Sequence, residues 1–275
     1  MQDNLCLGII GGAGHLGGAI AQGVLRNGAV LPENLWLSSR TLAASHGLAA
    51  DPKVHRTTSN QTLIEHCDIV IVAVPPHLAN SLAINASETG CLIISVMAGV
   101  TVTQLQQLSA TERVVRAMSS PAAETGLAYS PWFSSEAITD TDRLKIRRVF
   151  EAIGQTDEVF DESHIDQFTA LIGPVPGFVA YYADCMVNYA IDQGIDSNVA
   201  ERAIRQLFKA SGVMLADLDL SPRAHVDAMI DYDGTTAAGL KCMQASRLSA
   251  SIDQGLTAAV EATRKMSESL GDSTS

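Results

Sequence analysis

The pattern of apolar and polar positions changes character between Gly154 and Glu162. Before this point, short apolar runs rich in β-branched residues alternate with stretches of helical spacing. Runs that are apolar on both faces are typical of buried parallel strands. The first half is therefore expected to form an α/β Rossmann domain with a doubly wound, mainly parallel sheet. Its predicted elements are strands at Leu5–Ile10, Leu35–Ser38, Asp68–Val74, Leu92–Val96 and Arg113–Met118, and a first helix at about Leu16–Asn27.

From Glu162 onward the pattern is almost entirely helical. Ser197 is expected as an N-cap, Pro222 fits a first helical turn, and Gly194 follows a helix end. The division predicts a dinucleotide-binding Rossmann domain at residues 1–158 and an all-α domain at residues 159–275. The predicted helices of the second domain are Ile165–Gln193, interrupted early by two prolines, then Ser197–Ala216, Pro222–Ile230 and Thr235–Leu270.

Composition and charge exclude several classes of function. The formal net charge of −12 disfavours nucleic acid as a partner, because an acidic chain repels phosphates. The five cysteines are scattered, which indicates thiols in a reducing compartment and no metal site. Leu5–Ile10 runs straight into glycines, so it resembles a strand more than a signal peptide. No apolar run approaches the roughly 18 residues of a membrane helix. We therefore expect a cytoplasmic protein with no membrane partner.

A glycine-rich turn follows the first predicted strand. Gly12, Gly14 and Gly17 form a GxGxxG motif that opens a helix, which is the context that a dinucleotide-binding turn requires. In such a turn the glycines permit a tight bend, close approach of a pyrophosphate and close helix–strand packing, while the helix N-terminus attracts phosphate. The alternative is a glycine turn without a ligand. The positions expected to contact the cofactor here are Gly12, Ala13, Gly14, His15, Leu16 and Gly17.

The end of the second strand bears on the choice of cofactor. Ser38, Ser39 and Arg40 stand where an NAD-binding protein usually has an acidic residue for the ribose. Serines and an arginine suit a 2′-phosphate, which Arg40 would bind through its guanidinium. We therefore expect NADP(H), with NAD(H) as the alternative. Arg40 would otherwise be a solvated loop charge or stack on adenine.

Two further strand ends complete the expected cofactor edge. Ligands of doubly wound sheets lie at the carboxyl ends of the strands, so Val74 and Pro75 are expected to border the cofactor. His77 either joins them or is a surface residue at a helix start. Ala98, in a stretch of small residues, would leave room for a nicotinamide ring.

Glu162, His164 and Asp166 open the helical half as a charged first turn or, alternatively, a metal or acid–base site.

Taken in order, these motifs resemble the pyrroline-5-carboxylate reductase family over almost the whole chain. The resemblance implies NAD(P)H-dependent reduction of a cyclic imine, forming proline or a related imino acid, and a helical domain that interlocks with a second subunit as a homodimer or a larger oligomer. The motifs that carry the likeness are the glycine turn, Ser38–Arg40, Asp68–Pro76, Ser95–Gly99, Val115–Met118, Phe150–Gly154, Asp166, Thr169–Leu171 with Gly173 and Pro176, and Gly234–Leu240.

The family's substrate segment corresponds to Asp233-Gly234-Thr235-Thr236. The resemblance implies that this segment holds the substrate carboxylate through backbone N–H groups and hydroxyls, with Pro176 also in the pocket. Thr236 would lie near the imine nitrogen as the catalytic proton donor. No metal is needed, because an iminium carbon is already electrophilic.

The chain departs from the family pattern near this pocket. Ser119 and Ser120 stand where the family usually has Pro-Asn-Thr, so one residue and the Asn are lost. Around Gly173 two serines are lost and a proline is added, and Asp231 and Asp233 add negative charge beside a carboxylate site. Two alternatives therefore remain: a reductase of a different imine or carbonyl substrate, and a non-catalytic NADP-binding regulatory protein. A β-hydroxyacid-type dehydrogenase would need a lysine in the first long helix, and Ile165–Gln193 contains none.

Overall fold

The computed structural model describes residues 5–41, 47–216 and 220–271. Its largest feature is a seven-stranded sheet with strand order β3-β2-β1-β4-β5-β6-β8. Every neighbouring pair is parallel except β6 and β8, which are antiparallel. This is the predicted doubly wound, mainly parallel sheet. The strands are β1 (Leu7–Ile10), β2 (Leu35–Ser38), β3 (His55–Thr57), β4 (Ile69–Val72), β5 (Leu92–Ser95), β6 (Val114–Ala117), β7 (Ala128–Tyr129), β8 (Trp132–Ser134) and β9 (Gly154–Gln155).

Helices cover both faces of the sheet, because the central strands are apolar on both sides. On one face, Ile9 and Ile71 pack in a core with Val24 of α1 and Phe150 of α4. On the other face, a second core contains side chains from β1, β4 and β5 together with α2 and α3. The helices around the sheet are α1 (His15–Arg26), α2 (Asn60–His66), α3 (Val102–Ser109) and α4 (Asp140–Glu151).

The remaining helices form most of the second half, as predicted. They are α5 (Ser163–Ile172), α6 (Gly177–Asp192), α7 (Ser197–Leu215), α8 (Pro222–Tyr232), α9 (Thr235–Ala245) and α10 (Leu248–Gly271). Pro222 lies in the first turn of α8, as expected, with Ser221 as the N-cap. The N-cap of α7 is Asp196 rather than Ser197, because the Asp196 carboxylate accepts the N–H groups of Asn198 and Val199.

The prediction of one helix over Thr235–Leu270 was wrong. The helix breaks between Ala245 and Leu248, where Ser246 adopts an extended conformation. The Ser246 hydroxyl donates to the Met243 carbonyl at 2.7 Å and accepts the Leu248 N–H at 3.2 Å. One serine therefore ends α9 and begins α10, a competition with helical hydrogen bonding that is typical of serine.

Two compact units divide the chain at a different place from the predicted boundary at residue 158. The first unit comprises residues 5–174 and 258–271 of the described chain, and the second comprises described residues from 175 to 257. Helix α5 belongs to the first unit, where Ile165 and Ala170 are buried. The end of α10 also belongs to it, because Val260 and Thr263 are buried and the Ser267 carbonyl accepts a hydrogen bond from Gln104.

The stretch Ser163–Asp192 has the length and composition of a membrane-crossing helix. The sequence expectation concerned an uninterrupted apolar run of about 18 residues. Here Ile, Leu, Val and Phe side chains raise the average hydropathy, although Gly, Pro, Tyr and Asp residues interrupt the apolar positions. The turn at residues 173–176 divides the stretch into α5 and α6, of 10 and 16 residues. Each is shorter than the roughly 20 residues that span a bilayer.

Candidate cofactor site

The predicted glycine turn joins β1 to α1 at the carboxyl edge of the sheet. Its bend is fixed by Ser38, whose backbone carbonyl accepts the N–H groups of both Gly11 and Gly12 at 3.0 Å. Gly14 then donates its N–H to the Gly11 carbonyl at 2.8 Å. These bonds tie the turn to the end of β2, so the turn is held by neighbouring backbone before any ligand is present.

Two of the glycines have no room for a side chain. A Cβ on Gly17 would lie 2.4 Å from the Gly11 carbonyl oxygen, and Gly11 itself has φ of +83°. A Cβ on Gly11 would lie 2.5 Å from the carbonyl oxygen of Ala73, at the end of β4. The additional glycine at position 11 is thus explained, because the turn packs against the strand beside β1.

The outer face of the turn is open to solvent. Ala13, Gly14 and His15 are exposed, Leu16 is half-buried, and the first turn of α1 contains no acidic residue. The first N–H groups of a helix have no intrahelical acceptor and carry a partial positive charge. An exposed helix N-terminus that carries no acidic side chain suits the approach of an anionic pyrophosphate. These features match what a dinucleotide requires of the turn.

The turn lies at the topological switch point of the sheet. From β1 the chain winds outward through β2 and β3 on one side and through β4, β5 and β6 on the other. Doubly wound sheets bind ligands in the crevice at this point. Val74 is half-buried beside Gly11, and Pro75 and His77 are exposed after β4. Ala98 is half-buried after β5, the next strand along.

The structure separates the three residues expected to select the cofactor. The Ser38 side chain is buried and donates to Asn60 Oδ1 at 2.8 Å, so its hydroxyl supports the sheet while its carbonyl holds the glycine turn. Ser39 is half-buried and donates to the Thr41 carbonyl, whereas Arg40 is exposed. Arg40 is therefore the side chain of this group best placed to meet a charged ligand.

The charged group that opens α5 has a structural partner that the sequence analysis missed. Glu162 and Asp166 both pair with Arg116 of β6, at 3.1 and 2.5 Å. Arg116 is 2% exposed. His164 is exposed and approaches Asp161. Among the described residues, no group of three or more His, Cys, Asp or Glu side chains could hold a metal ion. An arginine inside an apolar strand is the signal that predicts buried acidic partners elsewhere.

The predicted substrate segment belongs to the second unit. Asp233 ends α8 with φ of +66°, and Gly234 precedes α9 with φ of +91°. Residues 233–236 are exposed, and the first turn of α9 contains no acidic residue. Pro176 precedes α6 and lines a cleft between α6 and α7 that includes none of residues 233–236.

Two family models match the chain. One, described as pyrroline-5-carboxylate reductase dimerisation, matches residues 162–266. The other, described as NADP oxidoreductase coenzyme F420-dependent, matches residues 6–99. The first includes all of α6, α7, α8 and α9, whose exposed apolar side chains include Phe178, Tyr181, Val213 and Met214. This match supports self-association of the protein.

Similar proteins align with the chain from end to end. Pyrroline-5-carboxylate reductase of Methanosarcina acetivorans is 28% identical over 96% of this chain and 99% of its own length. The Escherichia coli protein of the same name is 25% identical over 94% of this chain and 97% of its own. Among solved structures, a pyrroline-5-carboxylate reductase from Coxiella burnetii has a TM-score of 0.84 at 23% identity, covering 96% of this chain and 99% of its own.

A structure of Plasmodium falciparum pyrroline carboxylate reductase with NADP bound has a TM-score of 0.81 at 24% identity, covering 96% of this chain and 98% of its own. The two family models lie on the two halves that the sequence analysis distinguished. The fold agrees with these solved structures over 96% of this chain. The chain is thus similar to pyrroline-5-carboxylate reductases over nearly its whole length, and residues 162–266 match the dimerisation model of that family.

Proposed function

We propose that the protein is an NADPH-dependent oxidoreductase that reduces the C=N bond of pyrroline-5-carboxylate to give proline. The observation that carries the proposal is the alignment with relatives of that name over 94–96% of this chain. The glycine turn and residues 233–236 lie within the ranges that the two family models match. The fold contains an intact dinucleotide turn at its switch point, which a reductase of this kind requires.

The cofactor assignment rests on the β1–α1 turn and on Arg40. The turn offers backbone N–H groups and has no acidic side chain in the first turn of α1, and Arg40 offers the cation that a 2′-phosphate needs. The NADP-bound Plasmodium relative and the NADP oxidoreductase model are consistent with this choice. When bound, the reduced nicotinamide supplies the hydride.

The N-terminus of α9 is the proposed carboxylate site. Gly234 turns the chain into the helix without a Cβ, and the exposed N–H groups of the following first turn carry the partial positive charge that favours an anion. The hydroxyls of Thr235 and Thr236 add donors beside them. Asp233, in contrast, carries a negative charge. Its ψ of −171° ends the helical conformation of α8 before α9 begins.

Thr236 is the proposed proton donor to the imine nitrogen. A hydroxyl donates a proton best when a neighbouring charge stabilises the oxyanion that remains, and the helix N-terminus supplies such a charge. Reduction of an imine requires one hydride on carbon and one proton on nitrogen. The residues of this chain therefore need only to orient the ring and deliver the proton.

The exposed apolar helices and the dimerisation model support a homodimer as the working form. Burial between two copies would remove apolar area from water, which stabilises association by about 25 cal/mol per Å² before ordering costs.

We also infer a cytoplasmic location, from the scattered free thiols and the acidic composition.

A second candidate is NADP binding without catalysis. It is favoured by the altered motif at Ser119, whose hydroxyl is buried and lies 2.9 Å from that of Ser130, inside the first unit. A residue used in this way contributes to packing rather than to a pocket.

A related candidate is reduction of a different cyclic imine, favoured by the exposed Asp231 and Asp233 near the proposed carboxylate site.

The deciding experiment measures NADPH oxidation and proline formation with pyrroline-5-carboxylate, at catalytic and near-stoichiometric enzyme, beside a panel of cyclic imines lacking the carboxylate. Multiple turnovers that yield proline support the proposal. Turnover only with imines that lack the carboxylate supports a different substrate. Tight NADPH binding measured by calorimetry, with no turnover on any imine, supports the non-catalytic candidate. Absence of NADPH and NADH binding would contradict all three.

A further inference from the structure

Two cysteines face each other at the amino edge of the sheet, opposite the glycine turn. Cys6 comes directly before β1, and Cys67 follows α2, two residues before β4. Their Sγ atoms lie 3.8 Å apart in a thiol hydrogen bond. The family reaction described above uses neither residue, and both are free thiols.

The backbone holds the two segments at a spacing that suits a disulfide. The Cys6 carbonyl accepts the N–H groups of Asp68 and Ile69 at 2.9 and 3.3 Å, and Cys6 donates its own N–H to Asp68 Oδ2 at 2.9 Å. The pairing of Leu7 with Ile69 places Cys6 one position diagonal to Cys67. A strand spacing of about 4.8 Å and a rise of about 3.3 Å give Cα atoms about 6 Å apart, within the range that disulfides occupy.

The surroundings give the two thiols different chemistry. The hydrogen bond that Cys6 shares with Cys67 lowers the pKa of Cys6, against the opposing effects of burial and of the Asp68 charge, and a hydrogen bond with Trp36 adds to the lowering. The shared hydrogen bond with Cys6, followed by burial, raises the pKa of Cys67. Cys6 is therefore the nucleophile of the pair, since thiolate is the reactive form. Cys6 is also the more exposed, at the edge of the first unit, whereas Cys67 is 7% exposed.

A third thiol lies nearby but differs in burial. Cys91, directly before β5, is 1% exposed, and burial raises its pKa to about 12. Its sulfur is shielded from peroxide in solution, and its thiol donates to the Leu92 carbonyl at 3.7 Å. It therefore serves as an internal comparison for the pair.

We propose that Cys6 and Cys67 are a redox-modification site that a hydroperoxide converts to a disulfide. The Cys6 thiolate attacks one peroxide oxygen, the O–O bond breaks, and the product is a Cys6 sulfenic acid and hydroxide, which takes up the proton that Cys6 released. The Cys67 sulfur then attacks the Cys6 sulfur, and the sulfenic oxygen leaves as water with the Cys67 proton. Two thiols are oxidised by two electrons, and one hydrogen peroxide is reduced to two waters.

The disulfide would join β1 to β4, the two strands that border the switch point, and close a loop across 61 sequence positions. Cross-links over long loops restrict the unfolded chain, so we expect the oxidised protein to have a higher thermal midpoint than the reduced protein. A thiol reductant reverses the bond, as a reducing compartment would require.

The experiment treats the full-length protein with hydrogen peroxide, alkylates the remaining thiols, reduces, alkylates again with a heavy-isotope reagent and maps the peptides. Cys185→Ser and Cys242→Ser in the same chain remove the two exposed cysteines, so that cross-links between molecules do not obscure the result. We expect heavy label on Cys6 and Cys67 and light label on Cys91, with complete reversal by dithiothreitol.

Two variants in this background make the test specific. With Cys67→Ser, peroxide should leave a Cys6 sulfenic acid that dimedone traps, and the disulfide should be lost. With the matched control Cys91→Ser, the Cys6–Cys67 disulfide should form at an unchanged rate. Light label on both Cys6 and Cys67 of the folded protein, or a disulfide that involves Cys91 instead, would overturn the proposal without any need for a variant.

Discussion

Arg116 of β6 and Asp166 of α5 form an ion pair with 2.5 Å between Nη2 and Oδ1, inside the first unit. The same guanidinium contacts Glu162 at 3.1 Å, and Glu162 also accepts the N–H of Val102 at the start of α3. One buried arginine thus connects the sheet to α5 and, through Glu162, to α3. Because the guanidinium is 2% exposed, it depends on these carboxylates rather than on water.

Removal of one partner should therefore destabilise the protein strongly. We expect Asp166→Asn to lower the free energy of unfolding by about 3 kcal/mol, since it leaves part of a buried cation uncompensated. Urea unfolding measures this. The control is Glu201→Gln, which breaks the exposed pair with Arg205 and should cost less than about 1 kcal/mol. Equal losses in the two variants would refute the role assigned to Arg116.

The glycine turn offers a pair of neighbouring glycines that should respond oppositely. A Cβ at position 17 would lie 2.4 Å from a backbone oxygen, whereas at position 18 the nearest contact is an ordinary 3.5 Å. We expect Gly17→Ala to weaken NADPH binding tenfold or more, about 1.4 kcal/mol or greater. Gly18→Ala should retain binding and gain up to about 1 kcal/mol of stability from helix propensity. Calorimetric titration with NADPH distinguishes them, and similar affinities would contradict the assignment of the turn.

Arg40 should discriminate between the two cofactors. We expect Arg40→Ala to weaken NADPH binding by roughly 1.5–3 kcal/mol, the range for a hydrogen bond to a charged group, and to leave NADH binding nearly unchanged. Dissociation constants for both nucleotides, measured at one fixed salt concentration, test this. Arg40→Lys keeps the charge but loses the planar fork, so it should recover part of the affinity. Equal losses of affinity for NADPH and NADH would show that Arg40 does not bind the 2′-phosphate.

Thr236 should affect turnover and not cofactor binding. We expect Thr236→Val to lower kcat by about 10²–10⁴-fold, the range for loss of a positioned proton donor, with an unchanged dissociation constant for NADPH. Thr236→Ser keeps the hydroxyl and should restore most of the activity. A stopped-flow measurement of NADPH oxidation at saturating substrate separates the two effects. Normal turnover by the valine variant would show that another group supplies the proton.

Asp142 predicts a specific dependence of stability on pH. Burial raises its pKa, but hydrogen bonds from Thr139 and the charge of Arg113 outweigh this, so the pKa lies below the usual 3.8. A carboxyl with a depressed pKa stabilises the folded state above pH 3.8 and loses that contribution as the pH falls through its folded value. Asp142→Asn should therefore differ from wild type at pH 6 and converge with it as the pH falls below about 3.8. Parallel pH curves in urea unfolding would contradict the assignment.

Sequence patterns predicted the central sheet because its strands satisfy one strong rule. Ile9, Ile71 and Ile94 lie in runs that are apolar on both faces, and only a buried parallel strand accommodates such runs. The edge strands escaped prediction for the complementary reason. β3 is His-Arg-Thr, and its pairing with β2 depends on tertiary position rather than on its own residues.

The parts of the candidate site that depend on residues close together in the sequence could be predicted. The parts that depend on contacts between distant residues could not. The glycine turn has a recognisable spacing directly after a strand, so its position could be predicted, although its contacts with Ser38 and Ala73 could not. The Ser38 hydroxyl was expected beside the cofactor, but Asn60 holds it, and nothing in the spacing of 22 positions signals that contact. The break at Ser246 was missed because helical periodicity continues on both sides of it.

The shared last helix has a practical consequence for anyone who wishes to isolate the nucleotide-binding half. α10 begins among the residues of the second unit, yet its final turns complete the first, where a Cβ on Gly99 would lie 2.9 Å from the Thr263 carbonyl oxygen. A truncated protein that stops at residue 158 or 174 would lack these last turns. It would expose the surface around Gly99 that they cover and would tend to precipitate. Supplying residues 258–271 as a separate peptide, or rejoining them through a circular permutation, should restore solubility to the fragment.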